Sequence, residues 1–325
     1  MKKATLLGIV IIGLFLVPVF LASKPYRLSI FILMLLNIVF ALSMRLIMLT
    51  DQITLGHSAF AAIGGYSATL LVTKLNFNFW IALPSAMMVA AIVSLLIGYP
   101  TLRLKGAYFS ILTFALSEFI RYIFLTFRSI FGGAFGIVDI PAPDPISIPG
   151  LFRIEFSSRV ASYYLVAAFT ILAVGFLYRT EKSRYGLIFR SIGEADMITE
   201  HTGVNILNYK VLAFMIGSVC ATMTGVFQTF YLGLINPMTF TFHQTVFYLI
   251  FVIIGGMGSV VGPILAACIF TALPELLKPL KEYEPIFYSL VLLIAILFFP
   301  KGILGSFSRK KLETPLKASS EGIEA

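Results

Sequence analysis

The stretch LSIFILMLLNIVFALSMRLIML, residues 28–49, decides the fold class of this chain. Its only ionisable residue is Arg45, and the other positions are apolar except for two serines and one asparagine. An α-helix needs about 20 consecutive apolar residues to cross the hydrocarbon core of a bilayer. The stretch therefore predicts a membrane-spanning helix.

Comparable apolar blocks recur along the whole chain. Of its 325 residues, 59% are hydrophobic and 12% are charged, against about 45–50% and 25% in soluble domains. The spans can be drawn at about 4–22, 28–49, 55–73, 79–98, 107–127, 160–178, 211–232, 244–261, 263–277 and 285–299. We therefore expect an all-α integral membrane protein, a polytopic helical bundle of about ten spans. The transmembrane domain would cover residues 1–305, and a disordered cytoplasmic tail would cover 306–325.

The net charge is +9, and the basic residues lie between the apolar blocks and at the tails. Basic residues at these places set the topology of a membrane protein, so they do not indicate a nucleic-acid partner. With the N-terminus in the cytoplasm, 15 of the 24 Lys and Arg residues fall in cytoplasmic segments. Membrane proteins carry such an excess on the inner side, so we expect both termini to be cytoplasmic. Block 4–22 lacks the paired small residues of a signal-peptidase site and is predicted to be an uncleaved span.

Two connections are longer than simple hairpins. Residues 128–159 are rich in proline and glycine and predict an external, largely non-helical loop. Residues 179–210 are polar and predict a cytoplasmic loop with a short helix from Ser191 to His201 that stops at Gly203.

Ten spans divide into two halves of five, and an odd number gives the halves opposite orientations, as in inverted repeats. The third segment of each half contains glycines. They are Gly56, Gly64 and Gly65 in the first half and Gly255, Gly256 and Gly258 in the second. Such paired, interrupted segments indicate a path at mid-membrane. The alternative is that these glycines only let helices pack closely, and the sequence leaves both readings open.

Glu118 and Arg121 are ionisable residues inside the fifth span, three positions apart and therefore on one helical face. Charges within a bilayer need a partner or a watery cavity. The pair is either structural or part of a pathway or gate. No chain of buried Asp, Glu and His indicates a proton relay, which argues against an ion-coupled secondary transporter.

Catalytic and cofactor signatures are absent from the sequence. Gly56 to Phe60 has phenylalanine where a nucleophile elbow needs its second glycine. The two cysteines and three histidines lack the spacing of a disulfide framework or a metal site. The chain also contains no G-x-x-x-x-G-K-[ST] nucleotide-binding loop. We expect no enzyme activity and no cofactor, and any ATPase must be a separate polypeptide.

Several stretches together resemble the LivM-type permeases of branched-chain amino acid ABC importers. The resemblance begins with Leu55 to Phe60 and Leu102 to Phe109. Further matches follow in order: Gly64 to Tyr66, Gly132 and Gly133 with Gly136, Ile140 and Pro141, Gly193 to Glu200, Gly203 to Asn205, Tyr209 and Lys210, Asn236 and Pro237 with Phe240, Gly255 to Ser259 with Gly262 and Pro263, and Phe299 to Gly302. It covers about residues 28–305, and the order of the motifs makes it specific.

The resemblance implies a multi-pass subunit of the bacterial inner membrane. A second, LivH-like permease, two cytoplasmic ABC ATPases and an external solute-binding protein would complete the importer. The loop at 179–210 would be the ATPase-coupling segment, through Gly193, Glu194, Ala195, Glu200 and Gly203. The translocation path would involve the six glycines of the interrupted segments together with His57, Glu118 and Arg121.

The chain departs from the family pattern in two places. Met197 stands where the general ABC-permease loop has a glutamate, and Ala134 and Phe135 stand where many relatives have a more polar turn. Individual ATPase and receptor contacts are therefore open. Permeases for urea, amides or other amino acids, and a self-sufficient secondary transporter, are the alternative functions.

Overall fold

The structure, a computed structural model, describes residues 25–148, 152–201 and 203–298, together with Pro18. The predicted tail at 306–325 and all of the predicted span at 4–22 except Pro18 lie outside these residues, as do both termini. The helices are α1 (Pro25–Met48), α2 (His57–Thr73), α3 (Phe79–Thr101), α4 (Ala107–Thr126), α5 (Arg128–Phe131), α6 (Arg159–Lys182), α7 (Arg184–Glu194), α8 (Asp196–His201), α9 (Ile206–Leu232), α10 (Phe242–Gly255), α11 (Val261–Leu277) and α12 (Glu284–Phe298). Short 3₁₀ turns lie at Gly133–Phe135, Pro237–Thr239 and Lys278–Tyr283.

The helical fold class is confirmed, but the count of about ten spans is not. In the described part of the chain, six helical segments are long and apolar enough to cross a membrane. They are Pro25–Met48, Phe79–Thr101, Ala107–Thr126, Arg159–Lys182, Ile206–Leu232 and Pro237–Gly255. Helices α2 and α11 have 17 residues each and α12 has 15, so they are shorter than the roughly 20 residues a full crossing needs.

Helices α1 and α9 form the centre of the bundle. Their most apolar windows are 72% and 67% buried, whereas that of α4 is only 22% buried. Helix α2 packs directly on α9, because a Cβ atom on Gly225 would lie 2.2 Å from the carbonyl oxygen of Ala61. Thr222 Oγ1 also donates to the carbonyl of Phe60 at 2.9 Å. Backbone contact of this kind is how membrane helices gain packing energy without a hydrophobic driving force.

Helix α3 packs through a stripe of small residues at every fourth position. The stripe consists of Ala82, Ala86, Ala90, Ser94 and Gly98, all buried. Its first turn is capped by Asn78, whose Oδ1 accepts from the backbone N–H of Trp80 at 2.8 Å. The sequence therefore specifies both the start of α3 and the side that it turns to the bundle.

The connection at 128–159 is largely irregular, as predicted. It contains the four-residue α5 and a hairpin in which β1 (Ile146–Ile148) pairs antiparallel with β2 (Phe152–Ile154). Asp144 fixes the loop to α3, because its Oδ2 accepts from the backbone N–H of Phe79 at 2.6 Å and its carbonyl accepts from Trp80 Nε1 at 3.0 Å. A two-way backbone bridge between Ile137 and Ile235 fixes it to the α9–α10 connection.

Candidate functional site

The predicted coupling segment contains two helices rather than one. A single helix was expected from Ser191 to His201, but α7 starts earlier, at Arg184, and α7 and α8 are separated at Ala195 (φ −156°, ψ 79°). The expected stop at Gly203 agrees with the structure, since α8 ends at His201 and Gly203 has a left-handed φ of +82°. Its N–H donates to the carbonyl of Glu200 at 3.0 Å.

The α7–α8 segment is amphipathic. Phe189 and Ile192 are buried against the bundle. The opposite side carries exposed apolar and acidic side chains, which we call the outer face of α7–α8. It consists of Leu187, Glu194, Ile198 and Glu200, whereas Tyr185 shares the helical side of Phe189 and its ring meets that of Tyr209 on α9. Apolar side chains exposed next to charged ones on a short polar helix are typical of a protein-binding surface.

Backbone contacts hold α7 against the ends of two spans. A Cβ atom on Gly186 would lie 2.1 Å from the carbonyl oxygen of Glu181, at the end of α6. A Cβ atom on Gly193 would lie 2.3 Å from the carbonyl oxygen of Leu49, just beyond α1. Only glycine fits at these two places, so Gly193 brings the end of α7 into backbone contact with α1.

A buried charge network lies behind α7. The Glu181 carboxylate accepts from both Arg45 of α1 and Arg190 of α7, and the Arg45 Nη2 contact is 3.0 Å long. Arg45 Nη2 also donates to the carbonyl of Met257, in the α10–α11 connection, at 2.7 Å. The side chains of Arg45 and Glu181 are only 2% and 4% exposed. One arginine thus connects α1, α6 and the break between α10 and α11.

Asp196 fixes α8. Its Oδ2 lies 2.9 Å from Lys105 Nζ and 3.5 Å from Lys210 Nζ. Partial burial acts to raise the pKa of this carboxyl, but the two ammonium groups outweigh burial and hold the pKa below its ordinary value. The hydrogen bond to Asp196 in turn raises the pKa of Lys105. The contact is therefore fully ionised at neutral pH.

His57 lies in the core at the start of α2. Its Nε2 is 2.8 Å from Ser43 Oγ, and its ring meets Phe40 and Tyr248 edge-on. A Cβ atom on Gly56 would lie 2.9 Å from the carbonyl oxygen of Thr113 on α4. Both predicted path residues are thus packed between helices in this conformation.

The starts of α2 and α10 meet inside the bundle. The backbone N–H of Ser58 donates to Thr245 Oγ1 at 3.1 Å, and Thr245 Oγ1 donates to Ser58 Oγ at 2.7 Å. Ser58 Oγ also donates to the carbonyl of Thr241 at 3.1 Å. These bonds connect the two glycine-containing segments, one from each half of the chain.

The six glycines of those segments play different structural parts. Gly64 and Gly65 lie inside the unbroken α2, where added Cβ atoms would lie 2.6 Å from the Thr222 carbonyl oxygen and from Thr229 Oγ1. These two glycines are packing positions, so the expected interruption of this helix does not occur there. The second segment is interrupted: α10 ends at Gly255, and Gly256 has a φ of +90°.

Around that break the backbone is tight on one side and open on the other. A Cβ atom on Gly262 would lie 1.9 Å from the carbonyl oxygen of Gly255, whereas a Cβ built on Gly258 meets nothing within 4 Å among the described residues other than its chain neighbours. The break therefore has room to change shape on the side of Gly258.

Glu118 and Arg121 form the intrahelical pair that their spacing predicts. Arg121 Nε donates to Glu118 Oε2 at 2.8 Å, and Arg121 Nη2 lies 2.6 Å from the same oxygen. The side chains are 23% and 15% exposed. The pair lies on α4 beside the 3₁₀ turn at Pro237–Thr239, since Arg121 Nη1 reaches Met238 Sδ at 3.6 Å.

An apolar groove of about 390 Å³ between α3, α6 and α9 contains none of the predicted path residues. It is lined by Met87, Ala91, Phe169, Leu172, Ala173, Phe176, Met215, Ile216, Val219, Cys220 and Met223. These side chains offer no charged or amide group to a polar solute. The groove is therefore not the path indicated by the sequence.

Sequence reasoning missed the charge network and the Asp196 contact. Arg45 was the one signal for the network, because a lone charge inside an apolar span needs a buried partner. Its partner Glu181 is 136 positions away, at the end of another span. Nothing in the sequence pairs the two.

Comparisons with known proteins agree with the architecture. The family model described as "Branched-chain amino acid transport system / permease component" matches residues 26–300. The high-affinity branched-chain amino acid transport system permease proteins LivM of Salmonella typhimurium and Escherichia coli K12 are each 30% identical in an alignment of 279 residues that covers 79% of this chain and 64% of theirs. The LivH permease protein of Salmonella typhimurium is 27% identical over 157 residues, 47% of this chain and 50% of that one. No solved structure matches.

Proposed function

The chain belongs to the family of branched-chain amino acid transport system permease components, and we propose that it is one of two membrane subunits of an ATP-driven importer for branched-chain amino acids. Its partners would be a LivH-like permease, two cytoplasmic ABC ATPases and an external solute-binding protein. The solute would cross between the two permeases. The chain spans 64% of the length of its LivM relatives.

The α7–α8 segment is the observation that carries the proposal. Its outer face is exposed, while Gly193, the Glu181 network and Asp196 fix its inner side to α1, α6 and α9 and to the connection between α3 and α4. A surface held this firmly transmits a push from a bound partner to the bundle. Since the sequence has no nucleotide-binding loop of its own, we assign that push to the ATPases.

The route of the push follows from the contacts. Arg190 on α7 and Arg45 on α1 share the Glu181 carboxylate, and Arg45 also binds the Met257 carbonyl. A displacement of α7 would therefore reach the glycine-rich break between α10 and α11. That break and the α2–α10 junction are the elements that we expect to open and close the path.

The proposed orientation follows the charge bias. With both termini in the cytoplasm of a bacterial inner membrane, residues 179–210 face the ATPases and residues 128–159 face outward. Asp144 and the Ile137–Ile235 bridge fix the outer loop to the bundle. That loop is then available to the solute-binding protein.

A coupling assay tests the proposal. Proteoliposomes that contain the assembled importer are supplied with ATP and a saturated solute-binding protein. The variants Glu194→Trp and Gly203→Leu should continue to hydrolyse ATP while uptake of labelled leucine falls. Glu194→Trp places a bulky side chain on the outer face of α7–α8, and Gly203→Leu strains the left-handed turn that follows α8. Gly175→Leu is the matched control, since a Cβ atom at Gly175 meets nothing within 4 Å outside its own helix in the described part of the chain.

Wild-type uptake in both coupling variants would contradict the docking role. Leucine accumulation by this chain alone, without the other subunits, would contradict the importer itself. Uptake of urea or short amides in place of leucine would support the assignment as an importer subunit and contradict the proposed solute.

A further inference from the structure

Helix α4 carries two charges in the middle of an apolar, weakly covered span. Only 22% of its most apolar window is buried in the bundle. Glu118 lies eight positions before the last residue of α4, Thr126, which is about 12 Å along a helix. Charges at such a depth are rare unless they face a partner or a watery cavity. This face of α4 therefore borders protein or water rather than lipid.

The ion pair leaves part of its hydrogen-bonding capacity unused. Both contacts from Arg121 converge on Oε2 of Glu118, and Oε1 has no partner among the residues that the structure describes. Arg121 Nη1 is directed at Met238 Sδ, 3.6 Å away, and a thioether is a weak acceptor. The guanidinium also lies over the Tyr122 ring, 4.9 Å from its centroid. One carboxylate oxygen and one guanidinium nitrogen, the latter with only this thioether as acceptor, thus remain for a third molecule.

Apolar side chains lie beside the pair. Phe114 is one turn before Glu118 on α4, and its ring meets that of Phe242 edge-on with a centroid distance of 4.8 Å. Met238 is 52% exposed, and its flexible thioether adapts to ligands of different shape. An aliphatic side chain placed near the pair would contact this wall.

We propose that Glu118 and Arg121, with the wall formed by Phe114, Met238 and Phe242, make a transit site for a zwitterionic amino acid. The free oxygen of Glu118 would accept from the ammonium group, and Arg121 Nη1 would donate to the carboxylate. The aliphatic side chain would lie on the wall. This inference rests on the proposed importer function and names the site where the permease itself contacts the solute.

The geometry suits a zwitterion better than a solute that carries a single charge. The site has one positive and one negative group, so a zwitterion enters with no change in net charge on either side. A solute with only one charge would engage only one group of the pair and would therefore make one charge-assisted contact instead of two. The site should therefore discriminate against molecules that lack either charge.

Ligand-induced stabilisation tests the site on the assembled permease and ATPase complex without its solute-binding protein. Leucine should raise the melting temperature of this complex. Leucine amide, which lacks the carboxylate, and 4-methylpentanoate, which lacks the ammonium group, should not. The double variant Glu118→Gln with Arg121→Gln should lose the leucine shift, and leucine uptake per ATP hydrolysed should fall by at least about tenfold, since even one lost charge-assisted contact is worth that much.

The control is another ion pair between residues three apart in the part of the chain that the structure describes. Glu275 Oε2 lies 3.0 Å from Lys278 Nζ, also three residues apart, at the end of α11. Glu275→Gln with Lys278→Gln removes an ion pair of the same kind, and it should retain both the leucine shift and the uptake. Glu118→Asp and Arg121→Lys keep the charges and change only the lengths of the side chains. These variants therefore test the site if the neutral double variant does not insert into the membrane.

An unchanged leucine shift and uptake in the Glu118 and Arg121 variants would overturn the transit site while the importer stands. An equal shift with leucine amide would overturn it as well. If the wild-type importer moves only uncharged solutes such as urea, the zwitterion site is again overturned. Failure of the wild-type assembly to import any solute would instead overturn the proposed function.

Discussion

Removal of the Arg45 guanidinium is the perturbation whose effect follows most directly from the structure. Arg45→Met leaves Glu181, which is 4% exposed, with Arg190 as its remaining cation, and that side chain is 35% exposed. It also removes the donor to the Met257 carbonyl. Breaking a buried pair costs about 3–5 kcal/mol because a charge is left behind. The contact from Arg190 offsets part of this cost, so we expect about 3 kcal/mol.

The same reasoning ranks the other variants. Glu181→Gln leaves Arg45 buried without a carboxylate and should cost at least as much, up to about 5 kcal/mol. The double variant Arg45→Met with Glu181→Met removes both charges. Exchange of a buried pair for apolar residues is often neutral, so the double variant should be more stable than either single variant.

Denaturant or thermal unfolding of the purified subunit in lipid nanodiscs measures this order. Leucine uptake by the assembled importer is measured in parallel. The double variant should fold and insert yet transport poorly, because α7 is no longer linked to the Met257 carbonyl. Two outcomes would refute the inference that Arg45 and Glu181 stabilise the fold mainly by neutralising each other. One is a cost below about 1 kcal/mol for Arg45→Met, and the other is a double variant less stable than both single variants.

The remaining predictions concern glycines and one carboxylate. Gly225→Ala should destabilise the subunit by about 1–3 kcal/mol because the methyl group meets rigid backbone. Gly175→Ala should instead be neutral or stabilising by about 0.5–1 kcal/mol. The free energies of unfolding of both variants check this. Gly193→Ala should separate α7 from α1 and lower uptake per ATP without loss of insertion, and unchanged coupling would contradict it. The lowered pKa of Asp196 means that its contact is complete above the ordinary aspartate pKa of about 3.9 and is lost as the pH falls through the lower folded value. The rate of amide exchange in α8, corrected for its intrinsic pH dependence, should therefore be constant between about pH 5 and pH 8 in the wild type. It should be higher at every pH in Asp196→Asn. A change in the wild-type rate within that window would contradict the lowered pKa.

The long helices were predictable because their length and apolar composition are local properties. The block at 28–49 became α1 at Pro25–Met48, and the block at 211–232 became α9, which begins five residues earlier. In α9 the extra turn, Ile206 to Lys210, mixes apolar and polar residues and is capped by Asn205, whose Oδ1 accepts from the N–H of Asn208. Hydropathy finds the apolar part of a helix, whereas the cap sets where the helix begins.

Distant contacts explain what the sequence could not predict. Gly64 and Gly65 were grouped with the interrupted segments, but Thr222 and Thr229 of α9 pack against them and α2 continues. A glycine at a helix contact and a glycine at a helix break look alike until the opposing residue is known. The separation of α7 from α8 likewise depends on partners that are far away in sequence.

The contacts of the candidate site likewise include one that the sequence predicts and one that it does not. The pairing of Glu118 with Arg121 follows from helix geometry alone, since residues three apart share a face. The pairing of Arg45 with Glu181 does not, because it joins two spans that are brought together only by the packed bundle.

The charge network and the junction between α2 and α10 together explain why the glycine-rich break has its particular position. One end of α10 is bonded to α2 through Thr245 and Ser58. Beyond the other end, the Met257 carbonyl is bonded to Arg45. Helix α10 thus connects the proposed path with the network behind the docking segment. Because Gly258 has open space around it while Gly255 is fixed against Gly262, we expect a pull on Met257 to bend the connection there and to move α10 as a unit.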